Sequence, residues 1–267
     1  SQGNTLEVSR GASLVVAAND STDKSKAGAD YVCDGTSDQV EIQAAIDALP
    51  SGVRGTVVLL EGNYEISDSI TVAYGLTLQG LGRYSTVINL AAGSDVDMIN
   101  NPASHIQYVT IKDLQLYGNK ANQSSGNGIA FETNQVNSLI VYNCLIQHQK
   151  ENALYFSGSS YNMYIDHCLI RVCDEDGVKA ITSANGIYVT YNVIESCANA
   201  VDISGGTIHR VNYNAFEGQS SQNIRLTPAN YSEVIGNYCN AGTSFLYANG
   251  LSPIVRDNQI FDTTSYA

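Results

Sequence analysis

The chain reads as an all-β protein, a right-handed parallel β-helix solenoid with an N-terminal capping helix. Three observations predict it. A six-residue unit returns as IKDLQL (111–116), VYNCLI (141–146), IDHCLI (165–170), VTYNVI (189–194), VNYNAF (211–216), VIGNYC (234–239) and VRDNQI (255–260). A second run follows most of these units: GIAFE (128–132), ALYFS (153–157), GVKAI (177–181), AVDIS (200–204) and NIRLT (223–227). Both runs alternate apolar with other residues, the period of a strand. Finally, 267 residues at 43% hydrophobic and 15% charged are enough for one continuous core.

Three short strands and three turns per repeat make one coil, and coils stack at the inter-strand spacing of about 4.8 Å. The repeat predicts roughly nine to eleven coils. Inward positions then form columns. One holds Ile129, Leu154, Val178, Val201 and Ile224; another holds Val141, Ile165, Val189, Val211, Val234 and Val255. The fourth position of the six-residue unit ends in Asn192, Asn214, Asn237 and Asn258. Stacked carboxamides there predict an asparagine ladder that satisfies turn backbone groups out of reach of water. Cys144 and Cys168 occupy the same column earlier in the chain, and Cys173 and Cys197 share another, so these cysteines read as small buried side chains.

Residues 1–28 are set apart as an N-terminal segment, a docking segment or an extra strand, and residues 29–267 as a single β-helix domain. In DGTSDQVEIQAAIDALPSG, Thr36 with Gln39 fits a capping box. Val40, Ile42, Ile46 and Leu49 fall on one helical face, and Pro50-Ser51-Gly52 ends the helix. A helix over about 37–49 would cover the open end of the stack.

The stretches DGTSDQVEIQAAIDALPSGVRGTVVLLEGNYEI and LTLQGLGRYSTVINL resemble the opening of the pectate-lyase-like β-helix superfamily. The ladder is also similar to that of pectate lyases. The resemblance implies the parallel β-helix fold. Its members include lyases, hydrolases, alginate epimerases, phage tailspikes and non-catalytic surface proteins, so it leaves the activity open. Neither a DPH motif of the alginate epimerases nor the clustered aspartates of pectate lyases is present.

The same resemblance implies that the strand preceding the ladder turn by one strand carries the substrate cleft. Its outward middle positions here are Ala130, Tyr155, Lys179, Asp202 and Arg225, flanked by Gly128, Ala153, Gly177, Ala200 and Asn223. The long connection 117–127 would overhang that groove. Lyases and epimerases of acidic sugars take the proton from C5 of a uronate. Lys179 or Tyr155 is the candidate base, Arg225 the fork for the carboxylate, and Asp202 the group that orients Lys179 or holds calcium. Asp174, Glu175 and Asp176 are candidate calcium ligands. Tyr164, Tyr188 and Glu132 are candidate sugar contacts. Equally, Lys179, Asp202 and Arg225 on adjacent strands form an alternating-sign ladder that stabilises an exposed sheet.

A net charge of −13 argues against nucleic acid and anionic membrane as partners. No run approaches the roughly 18 apolar residues of a membrane span. The expected function is recognition of an extended polysaccharide outside the cell, on a cell surface or on a virion, with uronate lyase or epimerase activity. The rival is a non-catalytic structural or adhesive rod. A rod of this kind is compatible with a homo-oligomer such as a trimer, and the sequence leaves the assembly open.

Overall fold

The computed structural model describes residues 12–50, 52, 54–132, 136–228 and 230–265. Residues 1–11 of the N-terminal segment lie outside that range. The strands join in parallel, each pairing with its counterpart one coil earlier and one coil later. They form three walls. The first is an 11-stranded sheet running from Tyr31–Val32 and Ser13–Ala17 through Ile106–Lys112, Val136–Tyr142 and Ser160–Asp166 to Ile254–Arg256. The second and third walls are joined into one 16-stranded sheet by the long strand Tyr238–Ala248, which pairs with both.

The solenoid has about eight turns, fewer than the repeat predicts. The reason lies at the amino end. Of residues 12–50, only Ser13–Ala17 and Tyr31–Val32 are strand; the rest of that stretch goes to connections and two helices, α1 (Asp23–Gly28) and α2 (Gln39–Asp47). Ser13–Ala17 pairs with Gly55–Leu59 and so adds an extra strand to the first wall.

Helix α2 buries Ile42, Ala45 and Ile46 against the end of the stack. Val40 does not join them; it is 59% exposed. The capping box does not form. The N-cap is Asp38, while the Thr36 hydroxyl bonds Asp34 and Gln39 reaches Ser67. Asp38 is buried and accepts the backbone N–H groups of Gly35 and Glu65, both at 2.8 Å, so it ties the helix to the first coil.

The inward columns are buried down the axis, with Ile129, Leu154, Val178, Val201 and Ile224 all fully inaccessible. The other column is equally buried until its last member, Val255, which is 44% exposed. Beside these runs the asparagine ladder. Asn192 Oδ1 accepts the Cys168 N–H at 2.8 Å, and Asn192 Nδ2 donates to Ile165 O and Asn214 Oδ1. Asn214, Asn237 and Asn258 repeat the pattern. Cys168 and Cys144 are thiol versions of it. Their Sγ atoms lie 3.6 Å from Val141 O and 3.7 Å from Ile111 O, the carbonyls equivalent to Ile165 O. All six cysteines are buried and free. The residue before each ladder position lies in the left-handed region: Asn143, His167, Tyr191 and Tyr213 have φ of 50–58°.

Candidate functional site

The third wall carries Ile129–Phe131, Leu154–Phe156, Val178–Ile181, Val201–Ser204 and Gln222–Leu226 side by side. Its register places Tyr155 beside Lys179, Lys179 beside Asp202, and Asp202 beside Arg225. The four candidate residues therefore stand in single file, one per coil. Alternation produces this: their neighbours Leu154, Phe156, Val178, Ala180, Val201, Ile203, Ile224 and Leu226 fill the core. Ala130, next in the file, is covered rather than open, at 1% exposed.

The flanking small residues are not a groove floor. Gly128, Ala153, Gly177, Ala200 and Asn223 are buried where the chain enters each strand. A Cβ at Gly177 would sit 2.7 Å from both Ala200 O and Ile194 Cγ2, so the position is small because the next coil presses on it.

Charge is distributed unevenly along the file. Arg225 Nη1 lies 3.1 Å and 3.4 Å from the two Asp202 oxygens. Asp202 is only 6% exposed. Burial, with Asp176 nearby, raises its pKa, while Arg225 and Lys179 oppose the rise. Lys179 Nζ lies 3.4 Å from both Glu175 and Asp176. Burial lowers its pKa, but the two carboxylates together outweigh that and the net shift is upward. Burial, followed by Glu132, raises the Tyr155 pKa. At neutral pH, then, Lys179 is a cation and Tyr155 a neutral phenol.

Upstream of Lys179 the wall is hollowed into two adjoining depressions of about 240 and 330 Å³ that share Asn127, Glu132 and Glu151. Carboxylates dominate them: Asp95, Asp97, Glu132, Glu151 and Glu175. Burial, then Asp97 and Glu151, raises the pKa of Glu132. Part of the connection 117–127 contributes to the rim, through Ser125, Gly126 and Asn127.

The three consecutive acids do not gather around one point. Asp174 lies 2.7 Å from Lys120 and 3.0 Å from Lys150. Glu175 pairs with Lys179 and accepts from Asn152 Nδ2. Asp176 is buried and accepts the Asn199 N–H and side-chain amide. Among the described residues, the only group with three ligand atoms mutually within 4.8 Å is Cys33, Asp38 and Glu41, at the capping helix.

Asp176 belongs to a feature that sequence reasoning missed, a second polar ladder along the edge of the groove. Asn127 donates to Asp97, Asn152 to Asn127, the Asp176 N–H to Asn152, and Asn199 to Asp176. The signal was present: each member stands two residues before the first core residue of a third-wall strand, at 97, 127, 152, 176 and 199.

Of the sugar-contact candidates, Glu132 borders the groove, but Tyr164 and Tyr188 stand on the first wall. Their rings stack on each other, with centroids 4.8 Å apart and planes at 12°, and Arg210 covers Tyr188 at 5.4 Å. Neither is placed to work with the file. His167, Tyr191 and Tyr213 form a similar stack at the ladder turn.

Fold and site together define the class. The chain belongs to the right-handed β-helix family, whose profile, the right handed beta helix region, matches residues 63–209. Within it, a segment of 101 residues is 37% identical to the mannuronan C5-epimerase AlgE6 of Azotobacter vinelandii, covering 33% of this chain and 12% of that protein. Among solved structures, the PL6 family alginate lyase AlyGC is similar at TM-score 0.59 and 12% identity, over 93% of this chain and 36% of that one. The carrot pectin methylesterase is similar at TM-score 0.58 and 12% identity, over 95% and 87%. ORF18 of Geobacillus virus E2 is similar at TM-score 0.52 and 13% identity, over 85% and 58%. At these identities the structural likenesses are likenesses of fold.

Proposed function

We propose that the protein binds an extended acidic polysaccharide along the third wall, with Lys179 and Arg225 meeting uronate carboxylates. The observation that carries this reading is the register: it sets Tyr155, Lys179, Asp202 and Arg225 one per coil, a repeat suited to a linear chain of sugars. The segment shared with a mannuronan C5-epimerase supports the choice of a uronan. The carboxylates Glu132, Glu151 and Glu175 beside the file would repel such a chain. Calcium bridging them to the substrate would offset that repulsion. A rod of this kind works outside the cell, at a cell surface or on a virion.

Two readings of the chemistry follow from the protonation states. In a lyase or epimerase, Tyr155 or Lys179 in its unprotonated form takes the C5 proton while Arg225 neutralises the carboxylate. In the lyase the electron pair forms the C4–C5 double bond as the C4–O bond breaks, and the leaving oxygen takes a proton from the other residue or from water. In the epimerase C5 takes a proton on its opposite face. Both candidate bases have raised pKa values, so turnover would be fastest at alkaline pH, where they lose their protons. In a non-catalytic binder or structural rod, the same cations serve only to attract and to stabilise the sheet. The ion pairs that already engage Lys179 and Arg225 favour this second reading.

The test is incubation with pectate, alginate and glycosaminoglycans, with and without calcium, from neutral to alkaline pH. Ultraviolet absorbance of an unsaturated uronate that disappears in Lys179→Ala supports the lyase. A changed uronate ratio by NMR without absorbance supports the epimerase. Binding without either supports the non-catalytic reading, and absence of binding to every uronan overturns the proposal.

A further inference from the structure

A cleft on the first wall shares no residue with the groove and has the opposite electrical character. It encloses about 360 Å³ beside Arg54, Tyr108 and Ile140. Thr56, Thr77 and Thr110 form its floor, consecutive in the sheet register. Among the described residues, none that lines it is acidic, in a chain with 26 carboxylate side chains against 13 lysines and arginines.

Arg54 has no carboxylate within ion-pair reach among the described residues. Its guanidinium instead lies 4.3 Å from the centre of the Tyr108 ring. Tyr74 meets that ring edge-on at 6.0 Å and 88°, which fixes its plane. An arginine held this way loses less freedom when it takes a ligand. Among the described residues, the hydroxyls of Thr56, Thr77 and Thr110 have no hydrogen-bond partner in the protein. Gly75 keeps the cleft open. Its φ is +69°, and a Cβ there would come within 2.8 Å of Arg54 Cγ and displace that side chain.

We propose that this cleft is a second, independent binding site, for a single hexuronate ring. One guanidinium matches one carboxylate, in a forked charge-assisted pair. The column of threonine hydroxyls both donates and accepts, as sugar hydroxyls require. Ile140 supplies an apolar patch for the C–H face of the ring. A phosphate dianion would call for more donors than one arginine provides. The volume falls within the usual range of small-ligand sites, about 300–1,000 Å³. This site stands whether or not the third wall binds a polymer.

The experiment is amide NMR of the full chain titrated with methyl glucuronide, with methyl glucoside and inorganic phosphate as comparison probes. Methyl glucuronide should shift the amides of Thr56, Thr77, Tyr108 and Thr110, and added salt should weaken the effect. Arg54→Met should weaken it about tenfold. Thr77→Val, a change at the surface, should weaken it severalfold with the remaining spectrum unchanged. The assignment would be overturned by no shift at these amides, by shifts confined to Tyr155, Lys179, Asp202 and Arg225, by equal binding of methyl glucoside, or by equal or tighter binding of phosphate. Undiminished binding by Arg54→Met would do the same.

Discussion

Single buried polar side chains fix where this solenoid is strong and where acid weakens it. Asn214 accepts the Asn192 N–H and side-chain amide, and donates to Val189 O and Asn237 Oδ1. Asn214→Ala leaves those groups unpaired in a dry interior, so we expect a loss of about 3 kcal/mol in denaturant unfolding. His209 is fully buried, with Nδ1 placed to accept the Ile187 N–H and Nε2 to donate to Gly205 O, which defines a neutral ring. Burial lowers its pKa from 6.5 to about 4. The unfolded state therefore binds the proton first. Stability from this residue is complete above pH 6.5, falls as pH drops toward 4, and is level below that. The loss amounts to about 3 kcal/mol. Unfolding measured at pH 7 and pH 4.5 should show it in the native protein and not in His209→Gln. The asparagine column was legible in the sequence because a carboxamide at a fixed offset has one economical explanation. Tyr164 and Tyr188 stand on the first wall, away from the file, because a tyrosine stripe in the sequence does not say which wall will carry it.

At the scale of elements, strand alternation carried over well, since a period of two admits only one inward face. The capping helix was located but its boundary was not. Thr36 and Gln39 have the capping-box spacing, yet Asp38 binds the first coil through Gly35 and Glu65, and that long-range tie sets where the helix begins. Val40 was assigned to the buried face because periodicity alone does not show how wide that face is. Ile46 is 2% exposed against the stack. We expect Ile46→Ala to cost about 2–4 kcal/mol in unfolding measurements, with the largest increases in hydrogen exchange over the first coils. The small column beside the groove was read as outward, whereas coil-to-coil contact makes it small. Gly177→Val should accordingly destabilise by about 1–3 kcal/mol, with the groove intact only to the extent that Ala200 and Ile194 move aside.

For the whole molecule, the sequence repeat overcounted the coils because it did not separate the residues spent on closing the amino end from those that build turns of the stack. Val255, which belongs to an inward column, is 44% exposed. Each coil is held mainly by its neighbours, so amide exchange should be slowest between about residues 129 and 216 and fastest beyond 250. The same stacking builds the candidate site. No pair of residues in the file is close in sequence; the coil period alone brings positions 155, 179, 202 and 225 together. That was legible because the period can be counted. The acidic border and the second ladder were harder to see, because they depend on turn residues whose directions the strand period does not determine. The most direct measurement is calorimetric titration with uronate oligosaccharides of two to eight units. Affinity should rise with length until the four-residue file is spanned, and fall about tenfold in Lys179→Met and in Arg225→Met. Affinity that ignores both oligosaccharide length and these two substitutions would contradict the account.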